Sequence, residues 1–141
     1  MILGITGSRV GITLAQLTKL LEILKEYEVN EIHHGCCKGA DEMAVVTCYN
    51  NGIKIVAHPP TNPKVMSVKS VELSSLVMPK APYLNRNKDI VNASEMLVAL
   101  PNTNEEELRS GTWSTVRYAR KKARMITIIY PDGEVAIETR D

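Results

Sequence analysis

Met96-Leu97-Val98-Ala99-Leu100 runs into an acidic loop, Pro101 to Arg109, and then into Ser110-Gly111-Thr112-Trp113-Ser114-Thr115, which opens a helix-like segment ending near Arg124. The succession reads as a strand, a polar loop and the amino-terminal end of a helix. A helix start leaves about four backbone N–H groups unpaired and carries about half a positive charge. A glycine that lets a ligand approach, with hydroxyls on both sides, makes an anion seat there, and the expected guest is a phosphate. Ser110 or Thr112 acting only as a helix cap accounts for the same residues without a ligand. The wider reading therefore depends on whether other loops of the chain are built alike.

They are. Upstream, Glu95 to Leu100 is the fourth of five strand candidates, and each earlier one also meets a loop and then a helix. Ile2 to Thr6 is apolar and ends at Gly7-Ser8-Arg9, after which Thr13 opens a periodic segment with Leu14, Leu17, Leu21 and Leu24 on one face. Thr13 with Gln16 three residues later spells a capping box. Glu31 to His34 is the second strand, followed by Gly35-Cys36-Cys37-Lys38-Gly39 and a helix from Ala40 to about Tyr49 that stops at Asn50-Asn51-Gly52. Ile53 to His58 is the third strand, cut off by Pro59-Pro60. Tyr83 to Ala93 reads as a helix before the fourth strand, and Met125 to Tyr130 as the fifth strand after the last helix, Gly111 to Arg124. Pro131-Asp132-Gly133 signals a turn, from which Val135 to Glu138 can return as an antiparallel edge strand.

Thr61 to Pro82 fits neither a helical nor a strand period. A structureless loop of that length is unusual in a compact domain, so this stretch is expected to be an irregular insertion containing a short helix, or a mobile lid. Strands alternating with helices imply a Rossmann-like three-layer α/β sandwich with a mostly parallel five-stranded sheet, read as a single domain over residues 1–141. Ligands of such sheets sit beyond the carboxyl ends of the strands, where the loops at Gly7, Gly35, Pro59 and Ser110 would meet.

Gly7-Ser8-Arg9 stands where a glycine turn presents N–H groups and a guanidinium to phosphate, although a plain tight turn needs the same residues. Its spacing is neither GxGxxG nor a P-loop. Gly39-Ala40-Asp41 reads as a helix start at which Asp41 either favours the dipole or accepts from a ligand hydroxyl. In Asn85-Arg86-Asn87-Lys88 two cations at a helix start oppose the dipole, and a nearby anion would explain them. Arg117, Arg120, Lys121, Lys122 and Arg124 sit toward a helix end, where cations are stabilising, and read as a solvated face. His33-His34-Gly35-Cys36-Cys37 has metal-binding residue types, but adjacent cysteines chelate one tetrahedral ion poorly and no second pair stands at finger spacing. No metal and no cofactor is expected, and neighbouring His33 and His34 should face opposite sides of the sheet.

Composition bounds the function. The 141 residues are 44% hydrophobic and 23% charged, with a formal net charge of +1, so bulk charge does not suggest a protein that sheathes nucleic-acid backbone. No apolar run approaches the roughly 20 residues that span a bilayer, and Met1-Ile2-Leu3 meets polar residues too soon for a signal peptide, which gives the expectation of a cytoplasmic address and no membrane partner. Cys36, Cys37 and Cys48, an odd number, are expected as free thiols.

The chain resembles the SLOG superfamily, the Rossmann-like group that joins the DNA-processing protein A (Smf) domain with the LOG-type nucleotide phosphoribohydrolases, and among its members the small stand-alone proteins of bacteria and their phages. The resemblance rests on Gly7-Ser8-Arg9, His34-Gly35-Cys36-Cys37-Lys38-Gly39-Ala40-Asp41, Arg86-Asn87 and Ser110-Gly111-Thr112, in that order along nearly the whole chain. It implies a cleft for a nucleotide or nucleotide-derived ligand, with phosphate at Ser110, Gly111 and Thr112 and contacts from Ser8, Arg9, Asp41 and Arg86. Family members also often pair through helices, which implies a homodimer. In LOG-type enzymes a PGGxGTxxE motif ends in a catalytic Glu. Here that position is Thr115, and Thr115 cannot act as a carboxylate acid or base.

The candidate ligand-binding residues are accordingly Gly7, Ser8, Arg9, Gly35, Gly39, Asp41, Arg86, Asn87, Ser110, Gly111 and Thr112, with no catalytic residue assigned. The leading function is binding, as a sensor or sequestering protein for a nucleotide-derived signal. The alternatives are a hydrolase of a nucleoside phosphate or ADP-ribose-like compound, with Glu105, Glu106 or Glu107 folding inward as the carboxylate, and a single-stranded-DNA module.

Overall fold

The structure, a computed structural model, describes residues 1–139. A seven-stranded sheet in the order β4-β3-β2-β1-β5-β6-β7 is parallel throughout except for the last strand. Its strands are β1 (Ile2–Gly7), β2 (Glu31–His34), β3 (Lys54–Ala57), β4 (Leu76–Val77), β5 (Met96–Leu100), β6 (Met125–Ile129) and β7 (Val135–Glu138). The helices are α1 (Leu14–Glu26), α2 (Ala40–Asn50), α3 (Val68–Leu73), α4 (Tyr83–Ala93) and α5 (Gly111–Lys121), with a single 3-10 turn at Pro63–Val65.

Alternation along β5 explains the layers. Met96, Val98 and Leu100 point into a core with Leu20, Ile23 and Leu24 of α1 and Ala40, Ala44, Val45 and Cys48 of α2. Leu97 and Ala99 point the other way, against Val91 of α4 and Trp113, Val116 and Ala119 of α5. A strand covered on both faces must be apolar at every position, which is why Met96 to Leu100 carries no polar residue.

The helix ends follow their local chemistry. Thr13 and Gln16 form the expected capping box, Thr13 Oγ1 accepting from Gln16 N–H while Gln16 Oε1 accepts from Thr13 N–H. Gln16 is buried, and its Nε2 also donates to the carbonyls of Pro101 (2.7 Å) and Ile129 (2.8 Å), tying α1 to the ends of β5 and β6. Helix α5 stops at Lys121 rather than Arg124, because Lys122 caps it and Ala123 turns into the left-handed region at φ 53°.

One expectation is corrected. The sheet has seven strands, because the stretch Thr61 to Pro82 supplies β4 in addition to α3 and the 3-10 turn. β4 is only two residues long and half exposed, so no period marks it. Its backbone holds it: Ser75 N–H donates to Ile55 O (2.9 Å) and Met78 N–H to Ala57 O (2.8 Å). The same stretch is fastened to the loop after β2, Ser67 N–H donating to Cys36 O at 2.7 Å and Lys38 N–H to Val65 O at 3.2 Å. Val135–Glu138 returns antiparallel to β6, as its turn signal implies.

Gln16→Leu leaves two buried carbonyls, those of Pro101 and Ile129, without their partner and is expected to lower unfolding stability by about 2 kcal/mol or more. Thr18→Ala, on the exposed face of the same helix, should change it by less than about 0.5 kcal/mol. Urea denaturation of the two variants checks the difference.

Candidate functional site

Strand order reverses between β1 and β5. From β1 the chain steps outward through β2, β3 and β4, then returns to β5 on the other side, so the carboxyl ends of β1 and β5 border the crevice at which open α/β sheets accept ligands. The loop after β1 is locked to its neighbours there. Ser8 N–H donates to Leu100 O (3.0 Å), and Ser8 O accepts from Ala40 N–H (2.8 Å) at the start of α2. The Ser8 hydroxyl accepts from Val10 N–H at 3.1 Å, inside its own turn. Gly39 adopts φ +86°, and a Cβ on it would collide with the Ser8 and Arg9 backbone, so only glycine permits this crossing of loops.

Helix α4 turns Arg86, Asn87, Ile90 and Val91 inward. Arg86 is 3% exposed. Its Nη1 donates to Gly35 O at 2.8 Å, its Nη2 faces Cys37 Sγ at 3.7 Å, and its buried Nε has no partner. A side chain at Gly35 would occupy the place of Arg86 Nη1. Asp41 holds the same loop from below, its Oδ2 accepting from the N–H groups of Gly35 (3.1 Å) and Cys37 (3.3 Å). Burial pushes the Asp41 carboxyl up to about 6, against the pull of Arg86 and the two N–H groups. Burial and the neighbouring Asp41 likewise push the Cys36 thiol up to about 12 and raise that of Cys37, so both are held as thiols rather than as reactive thiolates.

Gly7, Arg9, Asp41, Arg86 and Asn87 line one narrow cleft together with Tyr83, the first residue of α4. The Tyr83 ring lies 5.4 Å from the Arg9 guanidinium carbon and 5.0 Å from that of Arg86. Its hydroxyl end rests against Gly111, where any Cβ would collide with Tyr83 Oη. Tyr83 thus joins Arg9 and Arg86 to the amino terminus of α5, and the space left free in the cleft is about 20 Å³, room for about one water. Sequence reasoning missed Tyr83; an aromatic residue directly ahead of Asn85-Arg86 was the available signal. Ser110 caps α5, accepting from Trp113 N–H at 3.3 Å, and Thr112 is buried. Gly35 and Gly39 stand behind the cleft wall, shaping the loop that carries it.

The carboxylates of the acidic loop face away. Glu106 pairs with Arg117 (3.1 Å) and Arg120 (2.9 Å), Arg120 also holds Glu138 of β7 at 2.8 Å, and Glu107 accepts from Thr103 Oγ1 at 3.1 Å. Thr115 Oγ1 donates to Gly111 O within α5 at 2.9 Å.

His33 and His34 face opposite sides of the sheet. His34 is fully buried and neutral, pushed down to about 3 by desolvation; its Nδ1 accepts from Cys36 N–H and its Nε2 donates to Ser74 Oγ, both at 3.0 Å. On the other face His33 Nε2 donates to Glu31 at 2.7 Å, which leaves Nδ1 to accept from His58 Nε2 at 2.7 Å. Among the described residues no group of three His, Cys, Asp or Glu side chains is disposed to hold a metal ion.

The folded state binds a proton at Asp41 that the unfolded chain releases between its ordinary value of 3.8 and about 6. Stability from this group is therefore present at low pH and lost as pH rises through that window. Relative to Asp41→Asn, the parent protein should lose on the order of 2–3 kcal/mol between pH 4 and pH 7. Paired urea titrations at the two pH values measure it, and parallel behaviour of the two proteins would contradict the assignment.

The chain matches no protein-family model and no curated protein sequence. Solved structures do match. The molybdenum cofactor binding protein from the phototrophic bacterium Rippkaea orientalis superposes with a TM-score of 0.69 at 18% identity, over 92% of this chain and 76% of that one. DNA processing protein A (DprA) from Streptococcus pneumoniae gives 0.67 at 20% identity, over 89% of this chain and 49% of that one, so this chain spans about half of DprA. The structural-genomics target TM1055 gives 0.63 at 14% identity, over 89% and 71%. At these identities the likeness is one of fold, a Rossmann-like three-layer α/β sandwich with a mostly parallel sheet.

Proposed function

We propose that this chain binds a nucleotide or nucleotide-derived ligand, acting as a sensor or sequestering protein, with the ligand's phosphate between Arg9, Arg86 and the amino terminus of α5. The observation that carries the proposal is that two guanidinium groups and a helix start all lie against Tyr83, at the rim of one small cleft. Such a volume is positive from three directions, and the unpartnered Nε of Arg86 leaves one buried donor to be satisfied there. A ligand-binding role is in keeping with the fold neighbours, one of which is a cofactor-binding protein.

Binding is favoured over hydrolysis because the carboxylate a glycosidic-bond hydrolase needs is absent from the cleft's α5 side. Thr115 stands at that position with its hydroxyl engaged by Gly111 O, and Glu106 is turned to the outer face of α5 by Arg117 and Arg120. The DNA-processing neighbour gives the single-stranded-DNA reading its one support. The cations that could extend a strand-binding track along α5, Arg117 and Arg120, are already paired with glutamates.

Titration calorimetry with AMP, ADP-ribose and a short single-stranded oligonucleotide tests the proposal. Arg9→Ala, which removes an exposed side chain without disturbing the core, should weaken the nucleotide roughly tenfold, while Arg120→Ala should leave its affinity unchanged. Added salt should weaken nucleotide binding only modestly. A logarithmic slope of about 0.7 per contacted phosphate over many phosphates, lost in Arg120→Ala, would instead establish a DNA strand as the ligand.

A further inference from the structure

We propose that Tyr83 is a plug: in the ligand-free protein its ring occupies the anion seat, and a phosphate enters by displacing it. The inference rests on the site reading above and adds a mode of regulation to it. Three observations carry it. The cleft lined by Arg9, Asp41, Arg86 and Asn87 has about 20 Å³ free, less than any phosphate group needs, and Tyr83 forms part of its wall. Both guanidinium carbons lie over the ring, at 5.4 and 5.0 Å from its centroid, where its π face is a weak substitute for an anion. Behind it the Nε of Arg86, in a side chain that is 97% buried, is left without a partner, a donor that the ring does not satisfy.

The ring is also placed to leave. Tyr83 is the first residue of α4, Pro82 precedes it as a cap with no side-chain hydrogen bond, and Leu84 beside it is 58% exposed. A rotation about its side-chain bonds carries the ring toward solvent without breaking a helical hydrogen bond, since the first N–H groups of a helix have no intrahelical acceptor. The hydroxyl rests on Gly111, and among the described residues no hydrogen bond fixes it there. Only glycine at 111 leaves room for the closed position, so the plug and its seat are matched residue to residue.

A protein whose competent state is a minority binds with its affinity reduced by the competent fraction. Calorimetry with inorganic pyrophosphate and with AMP should therefore find Tyr83→Ala binding about tenfold more tightly than the parent, with Tyr83→Phe, which keeps the ring, close to the parent. Thermal denaturation of each variant confirms that it is folded. In the unsubstituted protein, saturating pyrophosphate should raise the rate at which tetranitromethane nitrates Tyr83, measured by peptide mass spectrometry with the other tyrosines as reference.

Weaker binding by Tyr83→Ala, or protection of Tyr83 from nitration by pyrophosphate, would overturn the plug and make the ring part of the bound site. Equal affinities in parent and Tyr83→Ala would overturn the plug while leaving the site reading intact. Failure of every variant to bind either probe would overturn both.

Discussion

The guanidinium of Arg86 is buried at the centre of this molecule's polar edge, and much of the surrounding architecture is what it takes to keep it there. Removing a charge from water costs several kcal/mol unless hydrogen bonds replace the lost hydration. Arg86 donates to the carbonyl of Gly35 and faces the sulfur of Cys37, and among the described residues it forms no salt bridge. Gly35 must lack a side chain for that carbonyl to come within 2.8 Å, and Asp41 must hold the N–H groups of Gly35 and Cys37 so that the carbonyl points outward to Arg86. A deeply buried cation with one donor unmet is an electrostatic debt that a bound anion would settle.

Topology supplies the rest of the positive field. Reversal of strand order between β1 and β5 brings the loop bearing Arg9 beside the start of α5, and the interlock of Ser8 with Leu100 and Ala40 keeps it there. Every carboxylate of the loop before α5 is exposed, and Glu106 is drawn outward by two arginines of α5. The carboxylate that lines the cleft itself is that of Asp41, engaged by the N–H groups of Gly35 and Cys37.

How much of this was legible in the amino-acid order depended on whether the signal was local. The capping box of Thr13 and Gln16, the apolar run Met96 to Leu100 and the Pro131-Asp132-Gly133 turn are short-range patterns, and each element formed where its pattern lies. Strand β4 was invisible because two half-exposed residues have no period; its place is set by backbone hydrogen bonds to β3 that no local pattern encodes. The candidate residues around Arg9, Asp41 and Arg86 were found from helix-start chemistry, but their division of labour was not. Arg86 faces inward to a carbonyl, Gly35 and Gly39 serve close packing, and the ring of Tyr83 is placed only by tertiary contacts with Gly111 and the two arginines. Arg120 reads in the sequence as a solvated helix-face cation, and its pairing with Glu138 appears only once α5 and β7 are set side by side.

Whether one cleft at the carboxyl ends of β1 and β5 is where this protein meets a phosphorylated ligand is tested most directly by following backbone amide resonances during titration with AMP. The largest shifts are expected at Gly7 to Arg9, at Gly35 to Gly39 and at Gly111 to Trp113, with the carboxyl end of α1 and strand β7 unmoved. Shifts concentrated along the seam between α1 and α2, or around Lys88, Tyr118 and Lys122, would contradict it, as would a spectrum that AMP leaves unchanged.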